Sequence, residues 1–282
     1  MDTFLKILYP LPEPNRRRDR PMQVLCLGIS RSGTESLQAA LILLGYDGVA
    51  HGFEWWLDRV HDSITWTSMA QAKFRSAGHE SVSPLTRDDF DRVLGDRAAT
   101  TDVPTVWFAQ ELLQAYPEAQ VVLNYREDVE AWKTSFRQSV LPIIDSTRYQ
   151  FMRFFQSELF WAIRLTNMCW PRWYKHDFER YAADSYLTHY ATLEALLASQ
   201  QRPFLRWKPS DGWAPLCRFL KRPVPAQKFP HGNFATEFGP KLMVTDAHRL
   251  RRAKQNLILI ICLVVVPVIA CMDLVLELAT RT

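Results

Sequence analysis

Four short stretches of this 282-residue chain carry side chains that could do chemistry together. The first is Gly28-Ile29-Ser30-Arg31-Ser32-Gly33-Thr34-Glu35-Ser36. Its glycines permit a tight turn in which successive backbone N–H groups converge on an anion, and a helix opening at Thr34 adds the partial positive charge of its N-terminus. Arg31 places a cation inside the loop, and Ser32, Thr34 and Ser36 add hydroxyls. The second stretch delivers Arg126 from the end of an apolar run and follows it with Thr134 and Ser135. A guanidinium there can grip a phosphate in two-pronged fashion. The third and fourth are Thr101-Asp102-Val103-Pro104 and His51, each after an apolar segment. Either residue could take a proton from a hydroxyl. Plainer roles compete: Asp102 as the cap of a helix starting near Thr105, His51 as a core histidine, Arg126 in a surface ion pair with Glu127 or Asp128.

These groups need a scaffold, and the apolar patterning supplies one. Gln23–Gly28 and Ala119–Tyr125 read as buried strands, with weaker strands over Tyr46–Ala50, Ala98–Val103 and Pro203–Trp207. Helical spacing covers Thr34–Gly45, Phe53–Phe74, Thr86–Leu94, Thr105–Tyr116, Glu127–Val140, Arg148–Trp161, Tyr181–Ser199 and Trp213–Leu220. The alternation predicts an α/β fold, a three-layer parallel sheet flanked by helices, with ligands at the carboxyl ends of the strands. The loops that matter are then Gly28–Ser36, Thr101–Pro104 and Tyr125–Asp128. The aromatic stretch Phe151–Tyr174 suits core better than an acceptor pocket.

The ends of the chain read differently from the body. Residues 1–21 form a short arm, not a signal peptide, because Lys6 and Pro10 break its apolar stretch. The main domain takes residues 22–240, and a basic linker helix, 241–256, carries Arg249, Arg251, Arg252 and Lys254. Leu257–Met272 is apolar throughout, and a span over 257–277 predicts a single-pass tail anchor with the main domain in the cytosol. An apolar helix packed on the domain, or on a second copy in a homodimer, is the competing reading.

Composition excludes several classes. Hydrophobic residues are 48% and charged residues 23%, which rules out wholesale disorder. A net charge of +4 is too small to argue for nucleic acid. Five cysteines without a C-x-x-C pair indicate neither a disulfide framework nor zinc, and scattered histidines indicate no metal. The spacing Gly28 to Gly33 matches a nucleotide P-loop, but Thr34-Glu35 stands in place of Lys-[Ser/Thr], so an ATP hydrolase or kinase is the weaker reading.

Ser30–Leu37 resembles the 5′-phosphosulfate loop of sulfotransferases, and Val121–Asp128 with Trp132–Ser135 resembles their 3′-phosphate segment. Asp102-Val103-Pro104, Tyr116-Pro117 and Gly212–Leu220 with Pro223, Pro225, Phe229, Pro230 and Asn233 resemble the fungal-type group of that P-loop family over about residues 22 to 235. The resemblance implies 3′-phosphoadenosine 5′-phosphosulfate as donor and a small-molecule hydroxyl as acceptor. It implies donor binding by Ser30, Arg31, Ser32, Gly33, Thr34, Glu35, Ser36 and Arg126, with Thr134 or Ser135. It implies charge stabilisation by Arg31 and proton removal by Asp102, which occupies the place of the histidine in the Thr-His-Leu-Pro of cytosolic members; His51 is the second candidate base. Two departures stand out. Thr100 replaces a lysine, and Pro230-His231-Gly232-Asn233 replaces an Arg-Lys-Gly closure, leaving Lys228 or Asn233 to substitute. Those departures keep open the alternative of a catalytically inactive, membrane-anchored binding module.

Overall fold

The computed structural model describes residues 2–76, 84–231, 239–269 and 271–272. Its centre is a five-stranded sheet in the order β2-β3-β1-β4-β5. The strands are β1 (Val24–Cys26), β2 (Val49–Ala50), β3 (Ala99–Thr100), β4 (Gln120–Asn124) and β5 (Phe204–Trp207). All four pairings are parallel, with Leu25 opposite both Thr100 and Val121. All five strands fall within the segments expected from their apolar runs.

Side chains alternate across the sheet as the two-residue period requires. Val24, Cys26 and Val122 pack with Leu37, Leu41, Trp213 and Leu216 from helices Thr34–Leu43 and Trp213–Leu220. Leu25, Leu27, Val121 and Leu123 face the larger core, built with helices Val129–Ser139, Ser157–Trp173 and Phe178–Ser199. Both faces are therefore covered, which parallel sheets require.

Several helices end where sequence spacing does not predict. The stretch expected as one helix over Phe53–Phe74 is three pieces: Gly52–Asp58, a 3₁₀ turn at Val60–Asp62, and Ser63–Ser76. The break is at Arg59, which leaves helical geometry while its guanidinium binds Asp96 and Asp62. The helix expected over Arg148–Trp161 stops at Met152 and, after a 3₁₀ turn, restarts at Ser157. Gln156 is extended there and caps the new helix by accepting from Leu159 N. That helix carries Pro171 in its last turn.

The N-terminal arm begins with a helix, Asp2–Leu8. Its basic run is consumed structurally: Arg16 pairs with Asp62, and Arg18 binds Asp91, Tyr116 and the carbonyls of Leu94 and Arg97.

At the other end, one helix, Gly239–Ile260, continues through a wider π-type turn, Ile261–Val265. The wide turn lies just before Pro267, where a proline ring would otherwise press on the carbonyl four residues back. Leu250 and Ala253 are buried against the domain, whereas Ile258, Leu263 and Val268 are exposed. Arg249 is also buried, bonded to Glu158, so it is not one of the free basic residues that flank the apolar run. By length and composition, Val244–Ile269 could cross a membrane. Residues 273–277 of the expected span lie outside the described residues.

Candidate functional site

Every strand ends at the same rim, and the candidate residues follow the strand ends directly. Gly28 follows β1, His51 follows β2, Asp102 follows β3, Arg126 follows β4 and Lys208 follows β5.

The loop after β1 is held by groups from distant segments. Asn124, fully buried at the end of β4, accepts from Gly28 N (3.0 Å) and donates to Ser32 O (3.1 Å). A Cβ on Gly28 would collide with Asn124, so only glycine fits. Tyr190 OH receives Ile29 N (3.2 Å) and donates to Asn124 O (2.7 Å). Tyr186 OH contacts Ser32 Oγ (3.1 Å) and receives Arg126 N (2.7 Å). Trp132 Nε1 donates to Ser30 O (2.9 Å). One phenol thus ties the loop after β1 to the loop after β4. No side chain caps the helix that opens at Thr34, whose N-cap is Gly33 in left-handed geometry. Its N-terminal dipole therefore faces the loop, as an anion site needs.

Arg31 and Asp102 also adopt left-handed backbone angles, φ 71° and 65°. For residues other than glycine such angles cost roughly 1–3 kcal/mol and gather at functional sites. Asp102 is 5% exposed, and three donors bond its carboxylate. Oδ1 accepts from the Ser30 hydroxyl and from Val103 N (2.7 Å), and Oδ2 accepts from Thr34 Oγ1 (3.1 Å), whose oxygen is in turn the partner of His51 Nε2 (3.2 Å); that ring nitrogen lies 3.3 Å from Oδ2. The helix-cap alternative is not what forms. The turn at Thr105–Phe108 has no side-chain cap, and Thr105 Oγ1 and Val106 N use the Asp102 carbonyl instead.

His51 is almost fully buried, and its Nδ1 accepts from Phe53 N (3.0 Å), capping the helix Gly52–Asp58. Its single proton then sits on Nε2, facing Asp102 and Thr34. Burial holds its pKa below the usual value, against the partial upward pull of Asp102. A neutral ring with both nitrogens engaged orients the carboxylate and has no lone pair to offer a substrate.

Two cavities meet at Arg31. The first, of about 110 Å³, is apolar: Phe53, Trp55, Trp56, Trp107, Ile143 and Trp170 line it, with Ser30, Arg31 and Asp102 in its wall. The second, of about 310 Å³, is polar: Arg31, Ser32, Gly33, Arg126 and Lys208 line it, with Glu127 and Asp128 also in its wall. Tyr125 and Arg126 also line a neighbouring groove of about 410 Å³.

Arg126 has no ion pair among the described residues, because Glu127 pairs with Lys208 and Asp128 caps helix Val129–Ser139. Arg31 Nε donates to Ser135 Oγ (3.1 Å), which brings Ser135 to the loop, whereas Thr134 is exposed. Glu35 and Ser36 lie on the helix beyond the loop and line neither cavity. Thr100 is buried and donates to Thr105 Oγ1, so it contributes no charge. Asn233 lies outside the described residues. Among the described residues no three acidic, histidine or cysteine side chains gather as a metal site.

Asn124, Tyr186, Tyr190 and Trp132 are not apparent from the sequence motifs. Asn124 had a signal, an amide inside the otherwise apolar Val121–Tyr125. The tyrosines, four residues apart on a helix, look like ordinary core. Of the aromatic stretch Phe151–Tyr174, Trp170 reaches the small cavity, while Phe160 and Trp161 pack against the N-terminal arm.

A family model for the sulfotransferase domain matches residues 23–238. The chain is also 32% identical over 217 residues to the Ava biosynthesis cluster protein M of Aspergillus versicolor, covering 74% of this chain and 80% of that protein. This chain belongs to the sulfotransferase domain family.

Proposed function

We propose, from that membership, that the chain transfers a sulfuryl group from 3′-phosphoadenosine 5′-phosphosulfate to the hydroxyl of a small apolar molecule. One observation carries the reading: Arg31 stands in the common wall of a polar cavity that also holds Arg126 and an apolar cavity that contains a carboxylate. The residues fit the donor. The uncapped helix N-terminus and Arg31 suit the phosphosulfate, and Arg126, which has no ion pair among the described residues, suits the second phosphate. Lys208 lies in the same cavity, paired with Glu127.

In this reading the acceptor lies among Phe53, Trp55, Trp107 and Trp170 with its hydroxyl toward Asp102. The acceptor oxygen forms its bond to sulfur as the bond from sulfur to the bridging phosphate oxygen breaks. The hydroxyl proton passes to Asp102, displacing one of its three donors. Arg31 balances the charge that grows on the bridging oxygen. His51 and Thr34 keep the carboxylate aimed, and neither takes the proton.

The exposed apolar helix past Leu257 supports a membrane attachment, with the domain on the cytosolic side beside Arg251, Arg252 and Lys254.

The test is transfer of radiolabelled sulfate from the donor to molecules of a metabolite extract, beside a thermal shift with adenosine 3′,5′-bisphosphate. Stabilisation by the bisphosphate together with a labelled product supports the reading. Stabilisation without any labelled product would leave a binding module, and stabilisation by ATP with magnesium alone would favour a nucleotide hydrolase.

A further inference from the structure

A second cavity, of about 330 Å³, lies behind the acceptor cavity and is walled from it by Trp107. Its size is that of a small-molecule site. Helices Ser63–Ser76, Ser157–Trp173 and Phe178–Ser199 contribute Lys73, Cys169, Arg172, Ser185 and His189, and the turn between the last two contributes Lys175. Neither Arg31, Ser30 nor Asp102 reaches it, so an occupant is outside the range of sulfuryl transfer.

Two polar groups in its lining are unaccounted for. Ser185, 7% exposed, has no partner for its hydroxyl, and Trp107, also 7% exposed, has none for its indole N–H. Each such buried group costs about 1–3 kcal/mol if nothing pairs with it.

The charge around the cavity is unbalanced as well. Lys73 is satisfied by Glu111 and the Trp107 carbonyl, and Lys175 by Asp184. Arg172 lies over the Phe74 ring, 5.0 Å from its centre, and donates one N–H to Met168 O, with no carboxylate paired to it among the described residues. His189 Nε2 donates to Leu27 O (2.7 Å), because a carbonyl can only accept, so that nitrogen carries the proton. Burial holds His189 down to about 4, so the ring adds no positive charge at neutral pH. The cavity therefore offers one unmatched cation, unmatched hydrogen-bond donors, and apolar walls from Phe74, Val106 and Leu193.

We propose that this cavity is a second binding site, for a small organic anion with an oxyanion head on Arg172 and Ser185 and an apolar body against Phe74 and Trp107. Its occupant is an effector, not a reactant. His189 carries its presence to Leu27, the residue before the phosphate loop, and Trp107 carries it to the acceptor wall.

The probe is naphthalene-2-sulfonate, titrated calorimetrically into the full chain in phosphatidylcholine nanodiscs, with empty nanodiscs as blank. Saturable one-to-one binding is expected, and it should persist in saturating adenosine 3′,5′-bisphosphate with its affinity changed, since coupling between two sites is reciprocal. Arg172→Gln should weaken it at least tenfold and Ser185→Ala severalfold, with melting temperatures confirming that both variants fold. The neutral 2-naphthalenemethanol should bind at least tenfold more weakly than the sulfonate. Absence of saturable binding would overturn the proposal. So would displacement by the bisphosphate, unaltered affinity in both variants, or equal binding of the neutral alcohol.

Discussion

Asp102→Asn gives a sharp test, because the geometry forbids the amide from satisfying its surroundings. The native carboxylate accepts on both oxygens from three donors, and the groups behind them are fixed. Val103 N–H faces Oδ1, and Thr34 Oγ1 donates to Oδ2 while its oxygen receives His51 Nε2–H. His51 cannot move its proton to Nδ1 without turning it against Phe53 N–H. An asparagine must point its NH₂ either at Val103 N–H or at Thr34, whose hydroxyl proton then loses its acceptor, so a buried donor is left unpaired in either orientation. The cost is about 1–3 kcal/mol, which for a chain of this size lowers the melting temperature by roughly 2–4 °C per kcal/mol. Transfer should fall by about 10²–10⁴ if the carboxylate is the general base. Donor affinity should stay near that of the wild type, since Asp102 does not line the polar cavity. The assays are sulfate transfer, thermal melting, and stabilisation by adenosine 3′,5′-bisphosphate. A folded, donor-binding variant that transfers within threefold of the wild type would remove Asp102 as base. An unchanged melting temperature would refute this account of the donors around Asp102.

Arg126→Gln should weaken binding of adenosine 3′,5′-bisphosphate by about 10- to 150-fold, the loss of 1.5–3 kcal/mol in charge-assisted hydrogen bonds, without lowering the melting temperature of the free protein, as differential scanning fluorimetry would report. Tyr186→Phe leaves Arg126 N and Ser32 Oγ without their shared partner, so it should cost about 1–3 kcal/mol in stability by chemical denaturation and loosen donor binding as well. The histidine effect on stability has a defined sign. A histidine held near 4 in the fold and near 6.5 when unfolded binds fewer protons in the native state between those values, so stability falls as pH drops through that window. His189→Gln keeps a donor for Leu27 O, and the difference between wild type and variant should shrink the acid sensitivity by up to about 3 kcal/mol between pH 6.5 and 4. His51, held down by burial too, contributes in the same direction in both proteins. In intact membranes Cys262 should resist a membrane-impermeant maleimide and become labelled once detergent is added; equal labelling in both would remove the spanning segment.

The sequence reveals parts of this arrangement unequally, for physical reasons. The strands were legible because Gln23–Gly28 and Ala119–Tyr125 are buried on both faces and so are apolar throughout. The loop after β1 was legible as a turn because its glycines, Gly28 and Gly33, and the helix that opens at Thr34 lie in one contiguous stretch. The order of the strands was not, since the partners of β1 come from segments about 75 and 95 residues away. The setting of Asp102 was hidden for the same reason: Ser30, Thr34 and His51 reach it only after β1, β2 and β3 align. Helix ends at Arg59 and Gln156 depend on tertiary ion pairs and a side-chain cap that local spacing does not encode. The apolar cavity draws one or two residues from each of several helices, so no single window displays it.

Trp56 belongs to two structures at once. Its ring lines the apolar cavity, while its indole N–H donates to Asp246 (3.0 Å) on the long C-terminal helix. Asp246 also accepts from Tyr149, and Arg249 one turn later is clamped by Glu158. The long helix is therefore fixed to the wall of the apolar cavity and is not a slack tether. At 1.5 Å of rise per residue, the eleven residues from Asp246 to Leu257 set that wall about 16 Å from the start of the apolar run. Under the proposed membrane attachment, an apolar acceptor dissolved in the bilayer would have about 16 Å of water to cross, roughly half the thickness of the hydrocarbon core, along a route whose direction the helix holds constant.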